Sequence, residues 1–187
     1  WNDTPIIQYI IILFMFLAGT NFVLSYFAFK GRISKILQDE EFKLYFRFTI
    51  IFTLIVVSII YTHSYLNDSI VFDHPLVLGS AEGSIRHSLF QVVAIVTTTG
   101  FVTADYTLWS PFLLVFFFGL MFLGGSAGST SGGIKVVRHL VLIKNGFLEF
   151  KRTLHPSAIL PVRYNNKSVS GEIVFNVLGF FILYMLS

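Results

Sequence analysis

The stretch SLFQVVAIV followed by TTTGF, Ser88 to Phe101, decides how this chain folds. Its first part, Ser88–Val96, is apolar and helical in character, yet far shorter than the roughly 20 residues a helix needs to cross a bilayer. A polar return, Thr97–Phe101, comes next, and a new apolar run opens near Trp109. A half-length helix that enters and leaves on the same side satisfies this pattern. Non-helical backbone at membrane depth survives only where protein or water lines it.

Composition agrees with a membrane setting. The 187 residues are 55% hydrophobic and 12% charged, with 22 phenylalanines and a mean hydropathy of +0.76. A bilayer accepts that surface directly, whereas a soluble domain of this size would have to hide it. The absence of cysteine excludes a disulfide framework, a thiolate metal site and a cysteine nucleophile. The net charge of +3 resides in blocks that flank apolar runs, so a nucleic-acid partner is not expected.

The basic blocks orient the chain. Lys30, Arg32, Lys35, Lys43 and Arg47 form one, and Lys135, Arg138, Lys144, Lys151, Arg152, Arg163 and Lys167 the other. Between them Asn67–Arg86 carries Asp68, Asp73 and Glu82 with a single basic residue, Arg86. The positive-inside rule places Lys30–Arg47 and Lys144–Lys167 in the cytoplasm and this middle segment outside. His63, His74 and His87 match no metal-ligand spacing and read as interfacial or loop residues.

The expected layout is therefore a helix in residues 1–29, a cytoplasmic loop at 30–47, a span at 48–66 and an extracellular loop at 67–87. A pore helix with its polar turn occupies 88–101, and a broken span 111–143. A second cytoplasmic loop at 144–172 leads to the start of a further span at 173–187. Gln8 and Asn21, the polar side chains of the first span, are expected to face other helices. The break falls at Gly124-Gly125-Ser126-Ala127-Gly128-Ser129-Thr130-Ser131-Gly132-Gly133, where five glycines and four hydroxyl residues make a poor helix. Lys135 reads equally as an anchor for this loop and as an inside-positive flank. The chain opens without Met and closes inside an apolar run, and it reads as an internal segment of a longer membrane protein.

Span, outer loop, half-helix, Thr/Gly turn and second span make the helix–pore loop–helix unit of cation channels. A permeating cation exchanges its hydration shell for oxygens, and backbone carbonyls supply these without the tight hold of a carboxylate. Successive inward carbonyls need unusual dihedrals, which Gly100 permits. Thr97, Thr98, Thr99, Gly100 and Phe101 are the candidate filter, with potassium held by the backbone of Thr98, Thr99 and Gly100. No acidic residue lies in Thr97–Thr103, which excludes a calcium-type carboxylate ring.

TTTGF at Thr97–Phe101 and GGSAGSTSGGIK at Gly124–Lys135 resemble the Trk/Ktr/HKT superfamily of potassium transporters, most closely its TrkH-like bacterial branch. Arg152, His155 and Pro156 in KRTLHPSAI are also similar to that branch. The resemblance implies an all-α membrane protein of the inner membrane, built from four linked helix–pore loop–helix repeats around one pore. This chain would supply the third repeat and its flanks. It also implies that Gly124–Gly133, with Lys135, gates the pore beneath the filter. The implied partners are the remaining repeats, a second copy in a homodimer, and a cytosolic nucleotide-binding regulatory ring. Potassium is the implied substrate, with no cofactor and no enzymatic activity.

Two other readings compete. A secondary transporter with a discontinuous helix would bind its substrate at Gly124–Gly133, but it leaves the Ser88–Phe101 unit unexplained. A phosphate loop at Gly128–Lys135 fails because the motif requires Gly-Lys-Ser/Thr after a strand.

Overall fold

The computed structural model describes residues 4–66, 81–154 and 160–186. Asp68, Asp73, His74, His155 and Pro156 lie outside the described residues, as do the side chain of His63 and most of the expected outer loop.

Helices dominate. They are α1 (Pro5–Ala18), α2 (Phe22–Phe29), α3 (Ile33–Gln38), α4 (Glu40–Leu66), α5 (Ala81–Val96), α6 (Pro111–Leu120), α7 (Val136–Leu154) and α8 (Gly171–Leu186). One 3₁₀ turn, Tyr106–Leu108, precedes α6, and a two-residue antiparallel hairpin, β1 (Arg163–Tyr164) and β2 (Lys167–Ser168), precedes α8.

The 27 residues of α4 reach roughly 40 Å at about 1.5 Å per residue. Among the described residues, α4 alone holds a span (Glu40–Thr62) long and apolar enough to cross a bilayer unaided. Its buried positions Glu41, Tyr45, Thr49, Thr53, Val56 and Ile60 recur at helical spacing along one face. The opposite face is no less apolar, with Phe46, Ile50, Ile51 and Leu54 exposed. That inversion suits lipid rather than water.

The buried centre is α5, which packs against α1, α4 and α6. Val92 and Val96 join Tyr45, Val56 and Ile60 of α4 and Leu113, Phe117 and Leu120 of α6 in the main core. Phe90, Val93 and Ala94 meet Ile12 and Met15 of α1. Pro111 opens α6 with φ already set for a helix, and the Ser110 hydroxyl accepts from Phe112 N–H as its N-cap.

The structure departs from the expected layout in four places. Pro5–Phe29 is not one helix but two, bent by 116°. Gly19 ends α1, and Asn21 caps α2 by accepting from the Val23 amide at 2.8 Å, so Asn21 serves its own backbone rather than a neighbouring helix. The half-helix begins at Ala81, not Ser88, because the polar residues of its first turns find partners inside the protein. Arg86 Nε donates to Glu82 Oε1 at 2.8 Å one turn earlier, and its guanidinium also donates to Gln8 Oε1 of α1. Between residues 30 and 47 the chain is largely helical, and α7 continues through Lys144 to Leu154 before the hairpin. His87, expected in a loop or interface, is 1% exposed on α5, where Nδ1 lies 2.9 Å from Thr103 Oγ1.

Candidate functional site

The end of α5 builds the first part of the site. Thr98 N–H donates to Ile95 C=O and Thr99 N–H to Ala94 C=O, each at 3.0 Å, which is the paired bonding of a Schellman motif. That motif demands a left-handed residue at its turn, usually glycine, and here it is Thr98 at φ +55°. A β-branched residue in that region costs about 1–2 kcal/mol and persists only where its surroundings over-determine it. Gly100 follows at φ +73°, with open space where a β-carbon would stand.

All three threonine hydroxyls belong to the scaffold. Thr97 Oγ1 donates to Val93 C=O at 2.7 Å, and Thr99 Oγ1 approaches Met15 Sδ at 3.0 Å. Thr98 Oγ1 accepts from the Gly132 amide at 2.7 Å. The carbonyls behave differently. Among the described residues, no donor from the chain reaches the carbonyl oxygens of Thr98, Thr99, Gly100 or Phe101. Thr97 is buried, whereas Thr98 to Val102 is exposed. The segment thus offers an open edge of unclaimed backbone oxygens on a side-chain base. Beside it lies a cavity of about 280 Å³ lined in part by Gln91, Thr98, Gly100 and Tyr106. Gln91 Oε1 is buried there with no partner among the described residues.

The second part is the Gly124–Gly133 loop, closed at its neck. Gly124 N–H donates to Ile134 C=O at 2.8 Å, and Ile134 N–H donates to Phe122 C=O at 3.1 Å. The two sides approach so closely that a β-carbon on Gly124 would stand 2.1 Å from Gly132 C=O. Within the loop Gly125 N–H donates to Ser131 Oγ at 2.7 Å. Lys135 Nζ lies 3.4 Å from Ser129 C=O and 3.3 Å from Ser131 Oγ, and it also donates to Ser131 C=O. The Lys135 side chain therefore reaches back onto the loop.

The loop and the α1–α2 bend complete each other. Bending a helix strands carbonyls that need donors. Ser126 N–H donates to Gly19 C=O at 2.9 Å, and the Thr130 amide and hydroxyl reach Ala18 C=O at 3.4 and 3.2 Å. In return Phe22 N–H donates to Gly128 C=O at 3.2 Å. Gly19 is pressed into this junction, since a β-carbon would meet Tyr45 Oη at 2.4 Å and Thr97 Cγ2 at 2.7 Å.

Glu41 carries no site signal in the sequence, where it stands with Asp39 and Glu40 among the basic residues of 30–47. In the fold it is 1% exposed, and Oε1 accepts from Ala127 N–H of the loop at 2.5 Å. Only the arrival of the loop reveals its role.

Comparison with known proteins adds a family. The family model described as TrkH, cation transport protein, matches residues 1–187. The chain is 36% identical over 187 residues to the Trk system potassium uptake protein TrkH of Escherichia coli (strain K12), covering 98% of this chain and 36% of the relative. It is 32% identical over 174 residues to the Trk system potassium uptake protein TrkG of the same strain, covering 92% and 33%. The crystal structure of the potassium transporter TrkH from Vibrio parahaemolyticus superposes with a TM-score of 0.84 at 30% identity, covering 98% of this chain and 37% of that one. This chain thus spans about a third of the length of each of these relatives.

Proposed function

Because the chain belongs to the TrkH family of cation transport proteins, we propose that it contributes one helix–pore loop–helix unit to a potassium-uptake pathway in a cell's inner membrane. Thr97–Phe101 forms one strand of the ion filter, and potassium is held by the backbone oxygens of Thr98, Thr99 and Gly100. The Gly124–Gly133 loop, anchored by Lys135, lies under that strand as the gate. The remaining repeats come from the rest of the polypeptide, and the assembled pore works as a homodimer with a cytosolic nucleotide-binding regulator. The basic segments around Lys30–Arg47 and Lys144–Lys167 face the cytoplasm.

The observation that carries this reading is the bond from Gly132 N–H to Thr98 Oγ1. It joins a stretch of unclaimed carbonyls to a loop that could not stand at membrane depth without such partners. A coupled transporter would instead bind its substrate at the helix breaks. Here each break is occupied by backbone from the other, through the Ser126–Gly19 and Phe22–Gly128 bonds.

Substitution at Gly100 in the full-length transporter tests the filter. With φ at +73° and nothing within 4 Å, the strain on any L-residue is purely of the backbone. Gly100→Val should lower the ratio of potassium to sodium uptake severalfold. A correctly inserted Gly100→Val protein with the wild-type ratio would sink the filter assignment.

A further inference from the structure

The Gly124–Gly133 loop is held from several directions, and one of those holds leads away from the pore. Glu41 stands in the first turn of α4, where a carboxylate suits the helix dipole. A buried carboxylate needs donors to offset its lost hydration. Ala127 N–H supplies one to Oε1, and the Tyr164 hydroxyl reaches Oε2 at 3.3 Å. The Ala127 bond is the closer of the two and the Tyr164 contact the longer. One carboxylate therefore spans from the loop to the β1–β2 hairpin.

The hairpin is firmly seated. Asn165 and Asn166, at φ +44° and +65°, make the two-residue turn with both central residues left-handed that matches strand twist. Asn165 N–H donates to Glu40 Oε2 at 2.9 Å, while Glu40 N–H donates to Asn165 Oδ1 at 3.0 Å. Asn165 Nδ2 donates to Asp39 Oδ2 at 2.7 Å. Lys144 Nζ joins Glu40 Oε2 and Arg163 C=O, each at 2.8 Å. Burial, then the charges of Glu41 and Asp39, push the Tyr164 phenol above its ordinary value, so its hydroxyl stays protonated and donating.

We propose that Glu41 is a positioning residue for the Gly124–Gly133 loop, and that the Tyr164 hydroxyl, carried by the Arg163–Ser168 hairpin, sets how firmly Glu41 grips it. Displacing the hairpin by an ångström or so then weakens the Ala127 tie and loosens the loop against Thr98. This rests on the reading of the loop as the gate.

The test uses the full-length transporter in liposomes, with Tyr164→Phe, Glu41→Ala and the pair. Potassium flux, the potassium-to-sodium ratio, and the modification rate of a Ser129→Cys probe by a thiol reagent are followed in a background free of other cysteines. Tyr164→Phe removes one hydroxyl and should raise flux and probe reactivity severalfold without altering the ion ratio. The pair should exceed Glu41→Ala by little, because both act through one contact. Wild-type flux and probe reactivity in Tyr164→Phe, or effects that multiply independently in the pair, would overturn the proposal. Deleting Ser126–Gly132 separates the two ideas. If the deletion leaves flux unchanged, the gate reading fails and this inference with it. If it raises flux while Tyr164→Phe does nothing, only the link through Glu41 fails.

Discussion

Thr98 Oγ1 lies 2.7 Å from the Gly132 amide it accepts, so the strained residue at the end of α5 and the Gly/Ser loop share one hydrogen bond. Thr98 thereby has two duties: its backbone turns the chain, and its side chain holds the loop.

Separating those duties gives the first prediction. Thr98→Ser retains the hydroxyl and should conduct much like wild type. Thr98→Val keeps the β-branch and loses the acceptor. Because Gly132 is exposed, water can satisfy its amide, and the cost falls on loop position rather than on folding. Rubidium flux through reconstituted protein should therefore rise in the valine variant and not in the serine one. Equal flux in both would show that the bond does not restrain the loop.

Gly19 offers a steric test. A methyl group there collides with Tyr45 Oη and Thr97 Cγ2, an overpacking that costs about 1–3 kcal/mol. Tyr45→Phe removes the nearer atom, at the expense of its 3.2 Å bond to Phe16 C=O, worth about 1 kcal/mol. Gly19→Ala alone should lower thermal stability in detergent, and adding Tyr45→Phe should recover part of the loss. A double variant no better than the sum of its parts would show that the clash is relieved elsewhere.

Gly124 and Gly132 should differ sharply although they lie in the same loop. A β-carbon on Gly124 strikes the Gly132 carbonyl at 2.1 Å, whereas one on Gly132 meets Thr98 Oγ1 at an ordinary 3.5 Å. Gly132→Ala should support near-normal potassium uptake in cells lacking other uptake systems. Gly124→Ala should leave the neck open, seen as lost expression or as unregulated flux. Similar behaviour of the two variants would contradict the closed neck.

How much of this was legible in the sequence depends on where the partners come from. The Ser88–Val96 half-helix and the Gly124–Gly133 break showed plainly, because apolar length and glycine density are local properties. The first turns of α5 did not, since Glu82, Arg86 and His87 look like a loop until Gln8 and Thr103 arrive to meet them. Nor did the bonds of the threonine hydroxyls, which tie Thr97 back onto α5 and Thr98 to the loop. Glu41 depends on Ala127 and Tyr164, which are 86 and 123 residues away. The bend at Gly19 hid for the same reason. Pro5–Phe29 contains no charge, and the donors that reach the carbonyls of Ala18 and Gly19 come from the distant Ser126 and Thr130.

That bend has a consequence for how the protein is made. The donor that completes Ala18 C=O is 112 residues further along the chain. At about 5–20 residues per second, the ribosome delivers it on the order of ten seconds later. During that interval a bent helix would leave bare carbonyls in lipid, so an uninterrupted span should be the state that first inserts. The bend should then be a late event of assembly, set when Ser126 and Thr130 arrive.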